Sequence, residues 1–167
     1  MFNSHSLLVV LLRDSPFGHA MREIPWLFPT FEIAHFIGMT LLFGIVGLID
    51  LRMLGFARGL PVEPLHRLLP LAIGGFLLNV VTGVGFVASD PLAYLMVATF
   101  LVKLVLMGLA GVNATLFYLL LPAHVRHLEA GASAPRSARA FAAVSLLLWI
   151  AVIWTGRFIA FTGKSTL

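Results

Sequence analysis

His35 and Lys103 are the two residues of this chain whose type and placement point most directly to chemistry. Each stands among apolar residues, His35 in FEIAHFIGMTLLFGIVGLIDLR (31–52) and Lys103 in FLVKLVLMGLAGVNATLFYL (100–119). Placing a lysine at the centre of a membrane helix costs about 2.5–3.5 kcal/mol even on the lenient insertion scale, so ionisable residues at such depth mark functional sites by default. The Lys103 ammonium needs an anion, a hydrated cavity or a route along a helix groove to the carboxylates of Glu32 or Asp90. A cofactor carboxylate is one such anion, and a proton relay is another use for the amine. For His35 the sequence offers two roles. A neutral imidazole can hydrogen-bond a neighbouring helix, or it can act as an axial haem ligand once a further partner fixes its tautomer. The apolar stretches hold no second histidine, so the other axial position is open or is filled by Lys103, Met39, His19 or another subunit.

The elements that must position these residues follow from composition. Hydrophobic residues make up 60% of the 167 and charged residues 11%, with a mean hydropathy of +1.02. Soluble domains carry about 25% charged residues, so this chain lacks the polar surface to dissolve. The pattern predicts an all-α fold: a four-helix transmembrane bundle within 30–162, with crossings over 30–49, 68–88, 92–121 and 140–158. Residues 1–29 read as an N-terminal interfacial segment. Its apolar run, 7–12, is too short for a crossing and suits a helix lying on the membrane surface, broken at Ser15-Pro16. Asp50-Leu51-Arg52 reads as a charged stop after the first crossing, Asp90-Pro91 as the cap and first turn of the third, and 163–167 as a tail.

The net charge of +4 does not indicate nucleic acid, because the arginines sit at the ends of apolar runs and form no basic stripe. They read as topology determinants. Arg52, Arg58, Arg67, Arg126, Arg136 and Arg139 follow the first and third crossings, while Arg13, Arg22, Arg157 and Lys164 fall on the other side. The positive-inside rule then places both termini outside, which in a bacterial inner membrane is the periplasm. There is no cysteine, which removes disulfides, thiolate metal sites and cysteine nucleophiles. No Gly-rich phosphate loop, Ser-His-Asp set or HExxH pattern is present.

With this topology, a rise of about 1.5 Å per residue puts His35 roughly 7 Å below the outer boundary and Asn79 and Lys103 about 14–16 Å below it. Gly75, Asn79, Thr82 and Gly83 share one face of the second crossing, and Gly38 and Met39 adjoin His35. The expected site is an outer-leaflet pocket lined by His35, Asn79, Thr82 and Lys103, with Arg157 at its rim. Outside it, His124 and His127 beside Arg126 read as solvent-facing rather than as a metal pair. Asn79 and Asn113 also suit interhelical hydrogen bonds.

The segments HFIGMTLLFGIVGLIDLRMLG (35–55), LLPLAIGGFLLNVVTGVGF (68–86) and 100–119 resemble an uncharacterised family of small bacterial integral membrane proteins. That family has a His at the first helix start, a DLR end, LP…GF…TG in the second helix and K…N in the third. The layout is more distantly similar to the HemJ-type protoporphyrinogen oxidases and the CopD-like copper-resistance membrane proteins. The HemJ resemblance implies a haem-associated histidine at His35 and a functional lysine at Lys103. This chain has Val112-Asn113 where that type tends to have Tyr-His, which argues against porphyrinogen oxidation.

Two functions are therefore expected. In the first, the pocket binds b-type haem, with His35 as the iron ligand and Lys103 or Arg157 facing a propionate, for membrane electron transfer or redox chemistry. In the second, the chain is a non-catalytic membrane subunit that meets the lipid bilayer and either a homo-oligomer or a larger complex. A small transporter is disfavoured, since paired membrane carboxylates and a discontinuous-helix signal are missing from the sequence.

Overall fold

A computed structural model describes residues 7–162, without the side chains of Leu8, Ala123, His124 and Ala160; the 163–167 tail and the first six residues of the N-terminal segment lie outside it. Its α-helices are α1 (Leu7–Arg13), α2 (Pro16–Glu23), α3 (Leu27–Leu54), α4 (Val62–His66), α5 (Leu69–Ser89), α6 (Pro91–Leu95), α7 (Ala98–Leu120) and α8 (Arg136–Thr162), with a 3-10 turn over Ala123–His127. Four runs are long and apolar enough to cross a membrane: α3, α4 continued into α5, α7 and α8. They form the all-α bundle of a membrane protein.

Around the bundle, α3 packs along α5 on one side and α8 on the other, and α8 packs along α7. Contact between α5 and α7 is sparse at most, so one seam of the bundle is loosely joined. The short helix α6 touches both and bridges the seam at one end. The tightest helix pair is α3 with α5, and glycine makes it possible. A Cβ on Gly38 would lie 2.7 Å from the Gly75 carbonyl oxygen, and one on Gly75 would lie 2.6 Å from the Gly38 carbonyl oxygen. Only paired glycines allow the two backbones to approach this closely.

The Asp-Leu-Arg stretch is not a surface stop. Both charged residues are buried, Arg52 with 1% of its surface exposed, and the helix continues to Leu54 before Gly55 ends it in a left-handed conformation. Arg52 donates through Nε to the Leu60 carbonyl and through Nη2 to the Glu129 carbonyl at 2.8 Å. It thereby ties the segment after α3 to the segment after the 3-10 turn, two stretches further joined by Val62 N–H donating to the Leu128 carbonyl at 2.9 Å. A buried apolar cluster of Met53, Val62, Val125, Ala138 and Ala142 underlies these bonds. The arginine lies inside because its fork satisfies loop carbonyls that would otherwise be stranded.

The other end of the bundle is closed by the N-terminal helices. Ser15 caps α2 by accepting the Gly18 N–H at 2.9 Å, and Pro16 takes the first helical position. Val9 and Met21 are buried against the bundle, while Leu7, Val10 and Leu11 of the same apolar run are exposed. Arg22 donates to the carbonyls of Ala88 and Ser89 at the end of α5 and to that of Arg13 at the end of α1, where a cation complements both helix dipoles.

The third expected crossing is broken near its start. Asp90 caps α6, Val97 is extended, and α7 begins only at Ala98. Lys103 therefore lies in the second turn of α7, roughly 8 Å along it rather than at its centre. The fourth helix starts earlier than residue 140, at Arg136, and runs to Thr162.

Candidate functional site

His35 of α3, Asn79 and Thr82 of α5 and Lys103 of α7 lie in the half of the bundle closed by α1 and α2, while buried Asp50 and Arg52 lie at the other end. His35, in the third turn of α3, is half-buried, and its Nδ1 lies 2.7 Å from the Thr82 hydroxyl of α5. Thr82, with 2% of its surface exposed, also lies 2.7 Å from the Leu78 carbonyl one turn back. A carbonyl only accepts, so the single hydroxyl proton goes to Leu78. The hydroxyl oxygen must then accept from His35, which fixes the proton of the imidazole on Nδ1. Nε2 is left with its lone pair free. The edge of the ring meets Phe86, with centroids 5.3 Å apart.

Asn79 holds the backbone behind this histidine. Its amide is oriented so that Nδ2 donates to the His35 carbonyl at 2.7 Å and Oδ1 accepts the Met39 N–H at 3.1 Å. These are the two ends of one helical hydrogen-bond position of α3, bridged by a side chain from α5. The Asn79 amide is thus engaged with backbone, not turned toward a ligand. Asn113 does the same between α7 and α8, donating to the Phe141 carbonyl at 3.2 Å.

Lys103 reaches the same interior from α7. Its stem lies across Gly156 of α8, where an added Cβ would stand 3.4 Å from Nζ. No carboxylate of the described residues comes within ion-pair distance of it. The two acids that might have received it are placed elsewhere: Asp90 accepts the Ala93 N–H at 3.1 Å as the cap of α6, and Glu32 is exposed. The ammonium thus faces the interior without a counter-charge.

Arg157 is separate from this group. It is exposed, its guanidinium lies 5.2 Å from the centre of the Phe161 ring, and it borders an apolar groove of about 440 Å³ formed with Phe43, Ile150, Ile153, Trp154 and Phe158. That groove opens between α3 and α8 and is not lined by His35. Among the faces expected from helical periodicity, Gly75 and Thr82 are buried beside Asn79, whereas nothing lies within 4 Å of a Cβ on Gly83.

A second polar cluster, not anticipated as a site, lies at the arginine-rich end. Glu63, His66, Arg67, Tyr118, Arg126 and His127 line a groove of about 420 Å³. Glu63 pairs with Arg67 at 2.7 Å and with His127 at 3.5 Å. The i, i+4 spacing of Glu63 and Arg67 was visible in the sequence; the approach of the 3-10 turn to α4 was not. Among the described residues no group of three His, Cys, Asp or Glu could hold a metal ion.

Fold and site together define a class, a four-helix membrane bundle with an imidazole in its interior and an ammonium that has no carboxylate partner among the described residues. No match to this chain was found among models of known protein families, curated proteins or solved structures.

Proposed function

We propose that the interior around His35 binds b-type haem for electron transfer or redox chemistry in the membrane. The observation that carries this reading is the Nδ1-protonated imidazole of His35, fixed by the Thr82 hydroxyl, with Nε2 free. Ligation of a metal requires a neutral ring presented through one nitrogen and oriented through the other. Lys103 fits the same ligand. Its unpaired ammonium stands where an anionic propionate gains a charge-assisted hydrogen bond, and it suits that part better than Arg157, which is exposed on the outer surface. The loosely joined α5–α7 seam supports entry of a flat ligand, since its parting disrupts little packing. Haem bound here supplies one-electron chemistry. The chain's own residues hold it: His35 presents Nε2, Thr82 keeps the tautomer, Asn79 fixes the backbone of α3 behind it, and Phe86 packs against the ring edge.

The test is reconstitution of the detergent-purified protein with haem, followed through the Soret band. Saturable binding with a shifted band is expected for the wild type and not for His35→Ala; an identical titration of the two proteins overturns the reading. The bacterial inner membrane, with both termini on the periplasmic face, is the setting proposed for this chemistry on the arginine distribution.

The alternative, a non-catalytic membrane subunit or assembly partner, draws support from Asn79 and Asn113, whose amides join helices. It expects His35 and Lys103 substitutions to change abundance or co-purification of other subunits with no spectral effect.

A further inference from the structure

The second cluster carries an inference independent of haem. We propose that the groove at the arginine-rich end binds the phosphate group of an anionic membrane lipid. Tyr118, near the end of α7, is its centre. The His66 ring meets the Tyr118 ring edge-on at 5.9 Å, and the Arg126 guanidinium lies 5.8 Å from the Tyr118 ring centre. Within this group two polar functions are left over. Glu63 is already paired with Arg67 and His127, and among the described residues Arg126 has no carboxylate partner. His66 lies 3.2 Å through Nδ1 from the Val62 carbonyl, which can only accept, so its Nδ1 carries the proton. Its Nε2 is buried and without a hydrogen-bond partner.

A buried nitrogen without a partner costs free energy until something meets it. An anionic phosphate satisfies both functions: Arg126 donates to one of its oxygens as a fork, and its negative charge draws a second proton from solvent onto His66, whose Nε2–H then donates to another oxygen. The carboxylate of Glu63 does not exclude the anion, because its charge is offset by Arg67 at 2.7 Å. The position selects a lipid as the source. The groove is built from α4, the end of α7 and the 3-10 turn, all at one end of the bundle, where headgroups lie beside the helix ends. Basic pockets between membrane helices, with an aromatic residue at the interface, are the usual binding places of anionic headgroups.

The experiment is native mass spectrometry of the full-length protein from detergent, with phosphatidylglycerol or phosphatidylcholine added in separate samples. Phosphatidylglycerol is expected to be retained in preference to phosphatidylcholine. Arg126→Gln is expected to lower that retention roughly fivefold, the scale of one surface cation, with Arg126→Lys keeping most of it. Equal retention of the two lipids by the wild-type protein overturns the proposal without reference to any variant. Undiminished retention by a monodisperse Arg126→Gln protein also overturns it. A third sample contains inorganic phosphate. Displacement of the lipid by millimolar phosphate overturns the lipid assignment and gives the site to the free anion.

Discussion

At the scale of single residues, the site depends on where one proton sits. The Thr82 hydroxyl donates backward to Leu78 and so compels His35 to carry its hydrogen on Nδ1. Thr82→Val removes that acceptor while keeping the shape of the side chain. It is expected to weaken haem binding by about tenfold to a hundredfold, the usual effect of losing a ligand's orienting partner. Thr82→Ser should behave as the wild type in the same titration, and similar losses in both variants would remove Thr82 from this role. Asn79→Ala leaves the bridged position of α3 unsupported and is expected to cost about 1–3 kcal/mol of stability, read by thermal unfolding in detergent. Periodicity had put Asn79 and Thr82 on one face, and the depth of His35 brought it near them. Which of the two would touch the ring and which the backbone was not legible, because that depends on the close approach of α3 and α5.

That approach belongs to the scale of elements. Gly38 and Gly75 lie on different helices, and nothing in either segment alone shows that they face each other. Gly75→Ala would push a methyl against the Gly38 carbonyl, with Leu41 and Leu42 beside it. It should destabilise the bundle by about 1–3 kcal/mol, lowering the unfolding temperature in detergent. A Gly83→Ala control meets open space and is expected to change little. Arg52 shows a different limit of the sequence. Arginine after an apolar run reads as a stop at the membrane surface, yet here it turns inward because two loop carbonyls await it. Arg52→Gln is expected to cost about 1.5–3 kcal/mol for each charge-assisted bond lost, on the same measurement. The break at Val97 was equally hidden, as neither glycine nor proline marks it.

For the molecule as a whole, composition was sufficient. An excess of apolar residues over charged ones dictates helices that cross a bilayer, and four such helices are present. The order α5–α3–α8–α7 around the bundle, with its loosely joined seam, depends on contacts between segments far apart in sequence, which hydropathy does not encode. Orientation is testable because the chain has no cysteine. Single cysteines at two exposed positions, Glu23→Cys near α2 and Ser133→Cys in the arginine-rich loop, report on opposite faces. A membrane-impermeant maleimide is expected to label the first in intact cells and the second only after permeabilisation. The reverse pattern would invert the proposed topology and place the haem site in the inner leaflet.

The claim on which the account depends is that His35 Nε2 is a ligand, and the most direct measurement is the absorption spectrum of His35→Gly purified after expression with haem supply. The account predicts a Soret band in the wild-type protein, its loss in His35→Gly, and its return when free imidazole is added to fill the vacated position. A wild-type protein without the band, or a band unchanged in His35→Gly, would contradict it.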